Sequence, residues 1–107
     1  MTLALVDNQN IAAGYYPLGL QVILLKRSYV FPWSQFLYAE GSDDEMRLNF
    51  STHEIVIKGR NLNSIVTAIC AHGIAKLQEP ARQDRFLNEA GPLIREISVE
   101  KIEQNWV

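Results

Sequence analysis

Residues 46–73 change hydrophobic period once, and that change constrains the fold more than any other feature of the chain. In "MRLNF", Met46, Leu48 and Phe50 fall on one side of an extended backbone, with Arg47 and Asn49 on the other. "EIVIKG" repeats the alternation, Ile55 and Ile57 against Val56 and Lys58. Joined by "STH", the two runs predict an antiparallel hairpin with one buried face. Past Gly59 the spacing becomes three and four. Leu62, Ile65, Val66, Ile69 and Cys70 then form one apolar stripe, predicting a helix over about residues 62–72. Asn61 or Asn63 can cap its start. Gly73 suits the left-handed position that closes it.

The remaining elements follow from breakers and β-rich runs. "LQVILLKRSYVF", residues 20–31, is rich in β-branched and aromatic residues and predicts one long strand. Pro32 lacks an N–H, which interrupts a ladder or marks an edge. "WSQFLYAEG" resumes as a second strand, after a one-residue phase change near Ser34 and Gln35 that calls for a turn or bulge. "GYYPLG" and "GSDDE" have turn composition. "IAKLQE" reads as a short strand, "ARQDRFLNEAG" as a short helix, and "LIREISVEKI" as a closing strand with imperfect alternation. Residues 2–6 add a short first strand followed by a polar loop. The expected class is α+β: a mostly antiparallel sheet of about five to seven strands, as a sandwich, open sheet or partial barrel, with one main helix packed on one face.

At 107 residues this is a single domain. With 48% hydrophobic and 21% charged residues it can build a core without disulfides or metal. A net charge of −2 gives no general attraction to phosphate backbones or anionic lipid. One cysteine fits a reducing compartment. The apolar run Leu3 to Val6 stops at Asp7 without a basic leader, and no window approaches the ~20 apolar residues of a membrane span. A soluble, cytoplasmic protein with no membrane association is expected.

Few side chains suggest chemistry. Cys70 and His72 stand about 200° apart around a helix, too far to chelate together, and His53 falls in the hairpin turn. A zinc site needs three or four well-spaced ligands, so no metal, cofactor or catalytic residue is assigned. The acidic turn Glu40, Asp43, Asp44, Glu45 lacks the order of a calcium loop and reads as a solvated turn. "KGRN" precedes a helix start, where unpaired N–H groups attract anions, without the pattern of a P-loop or a dinucleotide fingerprint.

Half of the ten aromatics, Tyr29, Phe31, Trp33, Phe36 and Tyr38, lie in one segment beside Lys26 and Arg27. Most such rings fill a core, and any left exposed favour a protein surface. Tyr29, Phe31 and Trp33, with Trp106 and Val107 at the apolar C-terminus, are the expected partner surface. Lys26, Arg27, Lys58 and Arg60 are the expected anion or nucleic-acid contacts. The function these features favour is a small non-enzymatic interaction module, a homodimer or a subunit of a larger assembly. A nucleic-acid-binding β-domain is the first alternative, and a small-ligand binder or enzyme the second.

Overall fold

The computed structural model of the protein describes residues 11–13, 17–71, 73–81 and 93–102. The strands form two four-stranded sheets rather than one. In the first sheet the order is β1 (Ile11–Ala13), β7 (Ile74–Gln78), β2 (Gly19–Ile23) and β3 (Ser28–Pro32). In the second it is β4 (Phe36–Gly41), β5 (Glu45–Phe50), β6 (His53–Arg60) and β8 (Leu93–Lys101). All neighbours are antiparallel except β2 and β7. Helix α1 (Asn63–Ala71) carries the chain from β6 in the second sheet to β7 in the first. The chain is α+β, rich in antiparallel strands, with two open sheets.

The predicted hairpin is β5–β6, and Met46, Leu48, Phe50, Ile55 and Ile57 are buried as their alternation requires. They share one core with Leu20, Val22 and Phe31 of the first sheet, with Leu62 just before α1, and with Ile65 and Ala68 of α1. His53 opens β6 opposite Lys101, so the turn is residues 51–52 and the histidine is not in it. The apolar stripe of α1 is narrower than predicted. Ile69 is partly buried against the core, whereas Val66 and Cys70 are exposed. Leu62, Ile65 and Ala68 are fully buried, and Ile69 flanks them at the edge of the core. Gly73 has φ 85° and its N–H donates to the Ala68 carbonyl at 2.7 Å, closing the helix as expected.

The long strand predicted for residues 20–31 is two strands. Leu24 N–H donates to the Arg27 carbonyl at 2.8 Å, and the chain reverses through Leu25 and Lys26 with no glycine, proline or asparagine to mark the turn. β3 then ends on Pro32 at the sheet edge, where a missing N–H costs no ladder bond. The phase change beyond it is a 3-10 turn, Trp33–Gln35, at which the chain passes from one sheet to the other. The uneven alternation of β8 has a cause on its partner. Pairing shifts between Lys58 and Gly59, so Arg95 has no opposite residue and both Leu93 and Ile94 are buried. The expected first strand, the helix in residues 81–91 and the C-terminal Trp106 and Val107 lie outside the described residues, apart from Ala81.

Rings hold the sheets together. Phe31 of β3 packs on Phe50 with centroids 5.2 Å apart, Trp33 on Phe50 at 5.6 Å, and Phe36 on Phe50 at 5.4 Å. The Trp33 indole N–H donates to the Ile74 carbonyl at 3.0 Å. Replacing Phe50 with alanine removes the ring common to three contacts, and chemical denaturation is expected to show a loss of about 3–5 kcal/mol. Gly59 is a second sensitive point, since a Cβ there would collide with the Leu93 carbonyl. Gly59→Ala is expected to destabilise by about 1–3 kcal/mol in the same measurement, because backbone on β8 must move.

Candidate partner-binding groove

The β2–β3 turn faces the open edge of β8, and one carboxylate joins them. Glu79 follows β7, and its N–H donates to the Ile23 carbonyl at 2.7 Å, which keeps it beside β2. Its Oε1 accepts the Leu25 N–H at 3.2 Å and its Oε2 accepts the Ile97 N–H at 3.3 Å. Among the described residues β8 pairs with β6 on one side only. Ile102 N–H donates to the Thr52 carbonyl, so even-numbered residues at this end of β8 direct their backbone towards β6. Ile97, Val99 and Lys101 therefore direct theirs outward, as the antiparallel pattern requires. Glu79 holds the first of these three.

Between turn and edge lies a groove of about 480 Å³. Leu24, Leu25, Tyr29, Ile97 and Val99 supply apolar walls, with Ser98 and Glu79 as polar members. Lys26 and Arg27 stand on the turn and are exposed. Neither has a carboxylate partner among the described residues, where the ion pairs are those of Arg47 with Glu45 and Glu54. Arg27 Nη1 donates to the Tyr29 hydroxyl at 3.4 Å, which raises the guanidinium pKa above its usual value and keeps the cation beside the ring.

The structure divides the expected site residues. Lys26, Arg27 and Tyr29 meet in the groove. Phe31 is 5% exposed and stacked on Tyr29, so it belongs to the core rather than to a partner surface. Trp33 is half-buried with its N–H already bound. Trp106, Val107 and His72 lie outside the described residues. Lys58 is exposed on β6 opposite Glu45 on one side and Glu96 on the other, so carboxylates flank it on its own face. Arg60 is half-buried at the end of β6.

The anion site expected at the start of α1 is taken by the chain itself. Asp43 accepts the Leu62 N–H through its carbonyl at 2.9 Å and the Asn63 N–H through Oδ1 at 3.2 Å. The Asp44 carbonyl accepts the Gly59 N–H at 3.1 Å. The acidic turn is thus docked on "KGRN" as its cap, a contact across 20 residues that sequence spacing does not reveal.

Thr52 Oγ1 and His53 Nδ1 lie 2.7 Å apart, but the imidazole packs on Tyr29 and Phe31, with centroids 5.9 and 5.1 Å away. No carboxylate orients it among the described residues. Those residues also contain no group of three or more His, Cys, Asp or Glu placed to hold a metal. No helix among them is long and apolar enough to cross a membrane. Comparison with family models, curated proteins and solved structures finds no match for this chain.

Sequence reasoning missed Glu79 and β8 as members of the site. Glu79 precedes Pro80 in a segment that reads as a strand end, and nothing local signals a bond to Ile97, 18 residues on. Glu79→Ala leaves two backbone N–H groups without their acceptor and is expected to cost about 1–3 kcal/mol. Amide exchange should quicken at Leu25 and Ile97, with Glu79→Gln affected less because one acceptor oxygen remains. Asp43→Ala removes the cap of α1 and is expected to lower stability by about 1 kcal/mol, with faster exchange at Asn63.

Proposed function

We propose that the chain is a small, non-enzymatic interaction module that binds protein, either a second copy of itself or another subunit, along the β8 groove. One observation carries this reading: among the described residues, an open strand edge, an apolar hollow and two cations without carboxylate partners converge in one place. Arginine and tyrosine are the side chains that most often anchor protein interfaces, and here Arg27 and Tyr29 already touch. A homodimer is the simplest assembly for a chain of this size. A single cysteine, exposed at Cys70 without a disulfide, suits a module working in the reducing cytoplasm. Nucleic acid is the weaker reading, because Lys58 stands between two glutamates and the net charge is −2.

The reading predicts a concentration-dependent assembly, or a protein partner recovered from cell extract, visible by native mass spectrometry and sedimentation. Arg27→Glu should weaken that association at least tenfold while leaving thermal unfolding unchanged, since Arg27 is exposed. A strict monomer over a wide concentration range, with no partner from extract, would falsify the proposal.

A further inference from the structure

We infer that the groove takes its partner as an added β-strand: an extended segment, apolar residues alternating with carboxylates, hydrogen-bonded to β8 at Val99 and Lys101. The inference rests on the groove being a protein-binding surface and specifies the conformation and charge of what binds there.

The strand edges of the two sheets differ in their ability to accept another strand. β3 ends on Pro32, which has no N–H to offer. β1 has three residues and a register shift, and β4 shifts register beside Phe36. β8 runs for nine residues. Its bulge at Arg95 and the Glu79 carboxylate on Ile97 obstruct the first half, leaving the outward N–H and carbonyl groups of Val99 and Lys101. An added strand makes main-chain bonds to such an edge and draws selectivity from hollows that take alternate side chains. The hollow is present in the right place, walled by Ile97 and Val99 of the edge itself and by Leu24, Leu25 and Tyr29 opposite.

Charge determines which strand fits. Lys26 and Arg27 overhang the hollow, and the exposed Lys101 lies on the same edge; none has an ion pair among the described residues. A segment with carboxylates between its apolar residues places negative charge against three cations. Glu79 then acts as a stop. Its carboxylate occupies the Ile97 N–H and repels a carboxylate of the incoming strand, which limits pairing to Val99 and beyond and so sets the register.

The test is an NMR titration of the isotope-labelled chain with four capped hexapeptides. The first alternates valine with glutamate, the second valine with lysine, and the third and fourth are the valine–glutamate peptide N-methylated on one or the other alternate set of residues. The expected result is binding of the valine–glutamate peptide, with shifts at Val99, Lys101 and Tyr29. The lysine peptide should bind at least tenfold more weakly, and one of the two N-methylated sets should abolish binding. The double variant Lys26→Glu, Arg27→Glu should invert the charge preference, and its unchanged spectrum elsewhere shows that it folds. Equal binding of both N-methylated forms overturns strand addition, as does a short single-stranded oligonucleotide shifting these residues when the peptide does not. Failure of the peptide while Arg27→Glu still disrupts the natural assembly overturns this inference alone. Failure of the peptide in a strict monomer without a partner overturns both.

Discussion

Packing of three rings against Phe50 is the interaction on which the rest of the structure depends. Phe31 approaches from the first sheet, Trp33 from the 3-10 turn and Phe36 from the second sheet, so the one buried ring touches every part of the passage between sheets. Contacts of this kind add about 0.5–1.5 kcal/mol each beyond the area they bury. The order of partners along β3 is informative. Tyr29 meets His53 of β6, Phe31 meets His53 and Phe50 of β5, and Trp33 meets Phe36 of β4. β3 and the 3-10 turn after it therefore run across the strands of the second sheet rather than along them, with a corner where the chain changes sheet. The groove follows from that crossing, because it brings the β2–β3 turn over the edge of β8.

Two carboxylates then complete what apolar packing leaves open. The Asp43 carboxylate satisfies the first N–H of α1, and that of Glu79 satisfies one N–H on each wall of the groove. In both cases the acceptor comes from a segment distant in sequence and the donors are backbone groups that water would otherwise have to serve. These bonds have opposite consequences for binding. Asp43 fills the helix start with a carboxylate of the chain itself, whereas Glu79 bridges the groove walls while Lys26 and Arg27 have no ion pair among the described residues.

Much of the local structure was legible in the residues. The β5–β6 hairpin, the helix closed by Gly73, the break at Pro32 and the turn near Ser34 each rest on a short-range rule: alternation, three- and four-residue spacing, or a missing N–H. The failures share one origin. Residues 20–31 read as a single strand because their turn, Leu25–Lys26 in the middle of an apolar run, is imposed by pairing of the flanking strands and not by turn-forming residues. Val66 and Cys70 read as core because helical spacing admits them, and only the direction from which the core meets α1 leaves them exposed. Phe31 and Tyr29 look alike in sequence, yet one is core and the other lines a groove.

The sequence by itself determined the α+β class of the chain and its central hairpin and helix, because each depends on contacts within a few residues or on composition. Tertiary structure alone decided that there are two sheets, that Lys26, Arg27 and Tyr29 meet β8, and that Asp43 and Glu79 serve distant N–H groups. Those outcomes depend on how strands of one sheet cross the other, and a crossing is set by which side chains fill a shared core, a quantity no short window of residues contains.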